Sequence, residues 1–179
     1  QVHASLVVCC WYEFLQNIFF YTFFTASRAA EYGAIAALVR STTNFSIRTL
    51  HSGATSFTSK RIPSATITTE DSAQFARMFK RKQKLKLRLK MNPELLPSCS
   101  SSNLIIDIKG TEKPEEIVLL GAHIDSWDMA PSAMDDVAAV LFAYEAVRAI
   151  VQLHLRARRT IRLVAFTGEE INMCGIKGY

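Results

Sequence analysis

The 179-residue chain is long enough for one medium domain or parts of two. Its 49% hydrophobic and 21% charged content is that of a folded globular protein, which excludes a disordered or fibrous chain. The net charge of +5 conceals a split: residues 1–101 carry 13 Lys/Arg and 5 Asp/Glu, a balance of +8, whereas residues 102–179 carry 8 and 11, a balance of −3. Four cysteines (Cys9, Cys10, Cys99, Cys174) lack zinc-finger spacing and make no recognisable disulfide framework.

The chain opens on Gln1 and closes on Tyr179 just after a helix-like start, so we read it as a fragment, or an incomplete gene model, of something longer. Residues 6–24 form the most apolar window. Glu13, Gln16 and Asn17 interrupt it and no basic segment precedes it, which fits neither a signal peptide nor a membrane span. Buried strand and loop are expected there. Residues 27–40 (SRAAEYGAIAALVR) have an Ala-rich, helical look broken at Gly33. The Ser/Thr-rich residues 41–59 read as loop with short strands, and carry the sequon Asn44-Phe45-Ser46.

A short β-prone run, PSATITT, precedes a helix expected over residues 70–82, with Thr69 as its N-cap and acidic residues in its first turn. KLKLRLK, residues 84–90, alternates strictly, and period 2 with leucines on one face predicts a half-buried strand. The eight Lys/Arg from Arg77 to Lys90 come without interleaved aromatics or an RNA motif, so they read as a solvated face and no nucleic-acid partner is expected. Residues 92–102, with two prolines and four serines, form the best linker, and they divide the chain into units 1–98 and 99–179.

In the second unit, NLIIDIKG reads as a strand, followed by a turn around residues 111–114. EEIVLLGAH holds a continuous apolar run, residues 117–120, as expected for a strand covered on both faces. Asp135 opens a helix with apolar residues at helical spacing from Val137 to Val151, its N-terminal dipole favoured by Asp135 and Asp136. TIRLVAF is a second buried strand, ending in TGEE. Strand, helix, strand predicts a parallel α/β unit.

Both acidic clusters thus fall just beyond the carboxyl ends of buried strands, where open α/β sheets place their sites. His123 and Asp125 leave the first strand, Glu169 and Glu170 the second, and Asp135 begins the intervening helix. Taken singly, a His at a strand end, an Asp-Asp before a helix and a Glu-Glu after a strand are usually structural, capping or solvated. Together they are the imidazole and carboxylate set that suits a hard-to-borderline divalent metal. His123 and Asp125 point the same way on an extended chain, so Asp125 can orient the ring. Adjacent Glu169 and Glu170 point apart, so one can ligate while the other handles protons.

The segments GAHIDSWDMAPSAMDD and RLVAFTGEE resemble the co-catalytic zinc exopeptidases, whose pattern is GGHxDSWD, then GAMDDG, then TAEE. The spacing agrees as well: twelve residues from His123 to Asp135 and thirty-four from Asp135 to Glu169. The likeness covers residues 103–179 and continues more weakly upstream, where the first unit looks like part of that family's inserted protease-associated-type α+β domain. It implies an incomplete, mostly parallel peptidase sheet with flanking helices. It also implies two Zn2+ ions, with His123 a ligand of one, Glu170 of the other, Asp135 bridging both, Glu169 the general base and Asp125 the partner of His123. Peptide or dipeptide substrates, a secreted or lysosomal location and a homodimer when full length follow from the same resemblance. Two further ligands, an Asp and a His, lie beyond TAEE in the family, so this chain alone is expected to be inactive. The family's glycines around MDD are replaced: Pro131 and Ser132 precede it and Val137-Ala138-Ala139 follow, so Val137 is expected to crowd the helix start. These replacements keep a second reading open, a non-catalytic homologue with a binding or structural role.

Overall fold

The computed structural model describes residues 5–9, 18–42, 48, 50, 53–57, 60–131 and 133–179. The sequon at Asn44 and residues 10–17 of the apolar window lie outside these, as does Ser132. The chain divides into two compact units, residues 1–95 and 96–179.

In the first unit, β1 (Ser5–Cys9), β2 (Ala34–Arg40) and β3 (Ser64–Ile67) form a sheet in that order, with both pairings parallel. The helix α1 (Ile18–Glu31) connects β1 to β2. The apolar window is therefore strand at one end and helix at the other, and no helix among the described residues is long and apolar enough to cross a membrane. The Ala-rich stretch also divides. Gly33, at φ +81, ends α1, and AIAALVR beyond it is the central strand rather than more helix. A positive φ there turns the chain out of the helix, and small side chains let strand and helix approach closely. Ala26, Ala29 and Ala30 of α1 pack with Ala34 and Ala37 of β2 and with Ile62.

The helix after β3, α2 (Thr69–Lys80), is capped one residue earlier than its sequence suggested. The Thr68 hydroxyl accepts from the Asp71 N–H at 3.1 Å, while Thr69 lies inside the first turn. Residues 84–90 form no strand. The alternating pattern supplies the right faces, but among the described residues no neighbouring strand hydrogen-bonds to it, and without a ladder period 2 alone makes no sheet.

The second unit holds β4 (Leu104–Ile108), β5 (Lys113–His123), α3 (Ala138–Gln152), β6 (Arg159–Phe166) and the short α4 (Cys174–Gly178). The strand order is β4-β6-β5. β5 runs parallel to β6 through the α3 crossover and β4 runs antiparallel, so the sheet is mixed. The central strand holds the core: Leu163, Val164, Ala165 and Phe166 are buried, with Ala122 of β5 and Val147 of α3. β5 does not carry the burial its apolar run predicts, since Ile117 and Leu119 remain 45% and 46% exposed. It is an edge strand of this sheet, with β6 on one side, so half of its surroundings are not supplied by its own unit. For the same reason Leu141, Tyr144 and Val151 of α3 stay exposed.

Two polar devices fasten this sheet. The β5–β6 register shifts between Lys113 and Ile117, and the Thr160 hydroxyl spans the irregularity by donating to the Pro114 carbonyl at 2.7 Å. Arg162 makes a two-pronged pair with Asp107 across β4 and β6, both contacts at 2.7 Å. Hydrogen bonds from Arg162 hold the Asp107 carboxyl below its ordinary pKa, and the guanidinium charge adds to them against the cost of burial.

Two outcomes follow. Thr68→Ala lowers stability by about 1 kcal/mol while Thr69→Ala stays within about 0.5 kcal/mol, read from urea denaturation midpoints. Because the folded pKa of Asp107 lies below its unfolded value of about 3.9, its stabilisation is present above about pH 4 and is lost as pH falls through the lowered folded value. Asp107→Asn removes that acid-dependent part of the denaturation midpoint.

Candidate metal centre

Parallel pairing places the ends of β5 and β6 level. His123 is in register with Phe166, and the Ile124 N–H donates to the Phe166 carbonyl at 2.8 Å. The two segments that follow therefore leave the same sheet edge, 43 sequence positions apart.

His123 is buried. Its Nε2 lies 2.9 Å from Asp135 Oδ1 and its Nδ1 lies 3.1 Å from the Asp125 carbonyl oxygen. Glu169 Oε2 is 3.9 Å from the same Nε2. One ligating atom each from His123, Asp135 and Glu170 lies within 4.8 Å of the others, and among the described residues this is the one such group that could hold a metal ion. Glu169 stands beside that group rather than in it.

Asp125 contributes differently from its expected place as an imidazole partner. Its backbone carbonyl meets the His123 ring, with the carboxylate 3.5 Å from Nδ1. The carboxylate oxygens accept the backbone N–H groups of Glu169 at 2.9 Å and Glu170 at 3.2 Å. Asp125 thus clamps the segment after β6 onto the segment after β5. Side chains on two N–H groups of a turn fix which way the intervening glutamates project.

The Asp135-Asp136 pair does not cap the helix. Both residues have non-helical torsions within a π-type turn, Ala133–Val137, and the N-terminus of α3 has no side-chain cap. Instead Asp135 turns to the imidazole, and Asp136 Oδ2 accepts the His123 backbone N–H at 3.3 Å. Val137 has φ −58 and ψ −31, the ordinary right-handed helical conformation, so its backbone torsions do not require a glycine.

Residues that no local pattern signalled complete the support. Asn103 Nδ2 donates to the Gly175 carbonyl at 2.8 Å while its Oδ1 accepts the Thr167 N–H at 3.0 Å, so one amide just before β4 holds both the first residue of TGEE and Gly175 of α4. A Cβ on Gly175 would strike the Thr167 backbone and the Asn103 amide. The partners are 64 and 72 positions apart in sequence, which is why spacing does not reveal them. Trp127 hydrogen-bonds the Glu170 carboxylate.

The electrostatics favour a cation. Burial pushes the Glu170 pKa up. The Trp127 hydrogen bond and nearby His123 oppose this, while Asp135 and Glu169 reinforce it. For His123, burial disfavours the charged ring. The hydrogen bonds to Asp135 and to the Asp125 carbonyl, with the charges of Glu169 and Asp135, outweigh burial, and its pKa is raised. Both groups are therefore held toward their protonated forms, Glu170 chiefly by burial and His123 chiefly by its hydrogen bonds. An imidazole nitrogen with two carboxylates is a donor set that divalent zinc accepts.

Residues 103–179 match the model of peptidase family M28. This second unit belongs to peptidase family M28. Over 156 residues, 86% of this chain, the sequence is 39% identical to carboxypeptidase Q of Bos taurus, covering 33% of that protein. In structure it is similar to a peptidase M28 precursor from Shewanella amazonensis SB2B, with TM-score 0.77 and 36% identity over 87% of this chain and 36% of that one. It is also similar to a zinc aminopeptidase from Bacillus subtilis, with TM-score 0.53 and 25% identity over 86% and 35% of the two chains. The chain spans about a third of the length of the curated relatives it matches.

Asn103→Ala leaves the Thr167 N–H and the Gly175 carbonyl without their partner and lowers stability by about 1–3 kcal/mol in urea denaturation.

Proposed function

We propose that the full-length protein is a metallo-exopeptidase that hydrolyses terminal peptide bonds of peptides or dipeptides with the help of two zinc ions. The observation that carries this reading is the approach of His123, Asp135 and Glu170 to within 4.8 Å at one sheet edge. Membership of the M28 family and likeness to a carboxypeptidase and a zinc aminopeptidase support it.

In this reading His123 holds one ion, Glu170 the other, and Asp135 faces both. Bound zinc would supply Lewis acidity, easing deprotonation of water and polarising a scissile carbonyl. Glu169 lies beside the cluster with its carboxylate 3.9 Å from the imidazole, near the metal ligands without being one of them. As general base it takes the proton of the attacking water and delivers it to the leaving amine. Asp125 is a positioning residue, since its carboxylate holds the backbone of both glutamates. Three ligands are fewer than two ions require, so the further Asp and His are assigned to sequence outside these 179 residues, and the chain by itself is expected to be inactive. The same reading makes the full-length protein a secreted or lysosomal homodimer. A non-catalytic role has less support, because His123, Asp135 and Glu170 still converge on one possible metal site.

Full-length protein purified without chelator is expected to retain about two zincs per chain by mass spectrometry. Asp135→Ala loses metal and activity together. Glu169→Gln keeps the metal and lowers kcat by about 10²–10⁴-fold. A metal-free protein, or a Glu169→Gln variant of undiminished activity, defeats the reading.

A further inference from the structure

Three side chains at alternate positions from the end of β5 onward meet the metal-centre residues in turn. His123 Nε2 lies 2.9 Å from Asp135 Oδ1. The Asp125 carboxylate accepts the backbone N–H of Glu170 at 3.2 Å, and Trp127 hydrogen-bonds the Glu170 carboxylate. One short segment therefore grips Glu170 twice, by its backbone and by its side chain. The grip is itself anchored: the Trp127 carbonyl accepts the Ala130 N–H at 2.9 Å, which closes a turn over Asp128 and Met129 and fixes the backbone that carries the indole. Trp127 and Glu170 are both half-buried, so water competes less for their hydrogen bond than at an open surface.

We propose that Trp127 is a positioning residue of the candidate metal centre, its indole N–H holding the Glu170 carboxylate ready for one of the two ions. The inference rests on the two-zinc reading and adds what sets the affinity on the Glu170 side. The chemistry of an indole suits the task. It donates one hydrogen bond and has no lone pair to offer a metal, so it holds a ligand without becoming one. A His, Ser or Asp in its place would bring a competing lone pair. An Arg or Lys would hold the same oxygens but set a second positive charge beside the cation. A carboxylate has about four lone-pair sites, enough to accept the indole N–H and bind a cation together. A glutamate already held also has less freedom to lose when an ion arrives, so the hydrogen bond strengthens binding by pre-organisation.

The test is zinc retention by full-length protein, wild type and Trp127→Phe, equilibrated against a series of zinc buffers and read by mass spectrometry. Phenylalanine keeps an aromatic ring and removes the donor; Trp127→Leu, which also lacks it, serves equally if the Phe variant does not fold. Wild type is expected to hold about two zincs. Trp127→Phe is expected to release one of them at free zinc about 10–100-fold higher than wild type does, while the other keeps its wild-type affinity. A general loosening of the fold would weaken both. Glu170→Gln supplies the second arm: with the carboxylate gone, adding Trp127→Phe is expected to change zinc retention by less than about twofold. An indole that served only as a wall for substrate would raise KM and leave zinc retention unchanged. Unchanged retention, equal weakening of both ions, or an undiminished further loss on the Glu170→Gln background overturns this inference and leaves the two-zinc reading standing. Wild-type protein without zinc overturns both.

Discussion

The parallel register of β5 and β6 is the constraint on which the candidate centre depends. With His123 level with Phe166, the segments that begin at Ile124 and Thr167 leave the sheet side by side, and five carboxylates (Asp125, Asp135, Asp136, Glu169 and Glu170) borne on two distant stretches of chain arrive at one rim. A slip of one residue would turn His123 to the opposite face and remove it from Asp135. The register is held by burial of Val164 and Ala165 in the central strand and by the Thr160 hydroxyl where the ladder is interrupted.

Gathering so much negative charge is costly unless it is distributed, and the structure distributes it. Asp125 is spent on the backbone of Glu169 and Glu170, and Asp136 on the backbone of His123, so two of the acids act as structural acceptors. Their roles leave Asp135, Glu170 and the imidazole turned toward one another, with Glu169 at their border. The pKa of Glu170 is raised chiefly by burial and that of His123 by its hydrogen bonds to Asp135 and the Asp125 carbonyl, with neighbouring acidic charge adding to both. Such a gathering of acids is expected where a cation contributes to the final arrangement.

The two units illustrate different limits of reading a pattern. Residues 84–90 alternate as a strand does and yet join no sheet, because a strand exists only with a partner. The apolar run of β5 was expected to be covered on both faces and is half exposed at the edge of a three-stranded sheet. In both cases hydrophobicity encodes a demand for burial without saying which segment meets it. Where the determinant is local, the pattern is reliable to within a residue, as at α2, whose cap moves only from Thr69 to Thr68.

The sequence by itself determined the elements of the second unit, the α/β crossover and the candidate ligands, since apolar runs and acidic clusters at strand ends are local features that survive without a fold. It also carried the family likeness, because ligand types and their spacing are written in the chain. Only the tertiary structure decided what each acid touches. The Asn103 bridge, the Asp125 clamp and the turn of Asp136 toward the His123 backbone join residues from 13 to 72 positions apart. Those pairings arise from strand register and side-chain packing, which no local periodicity records.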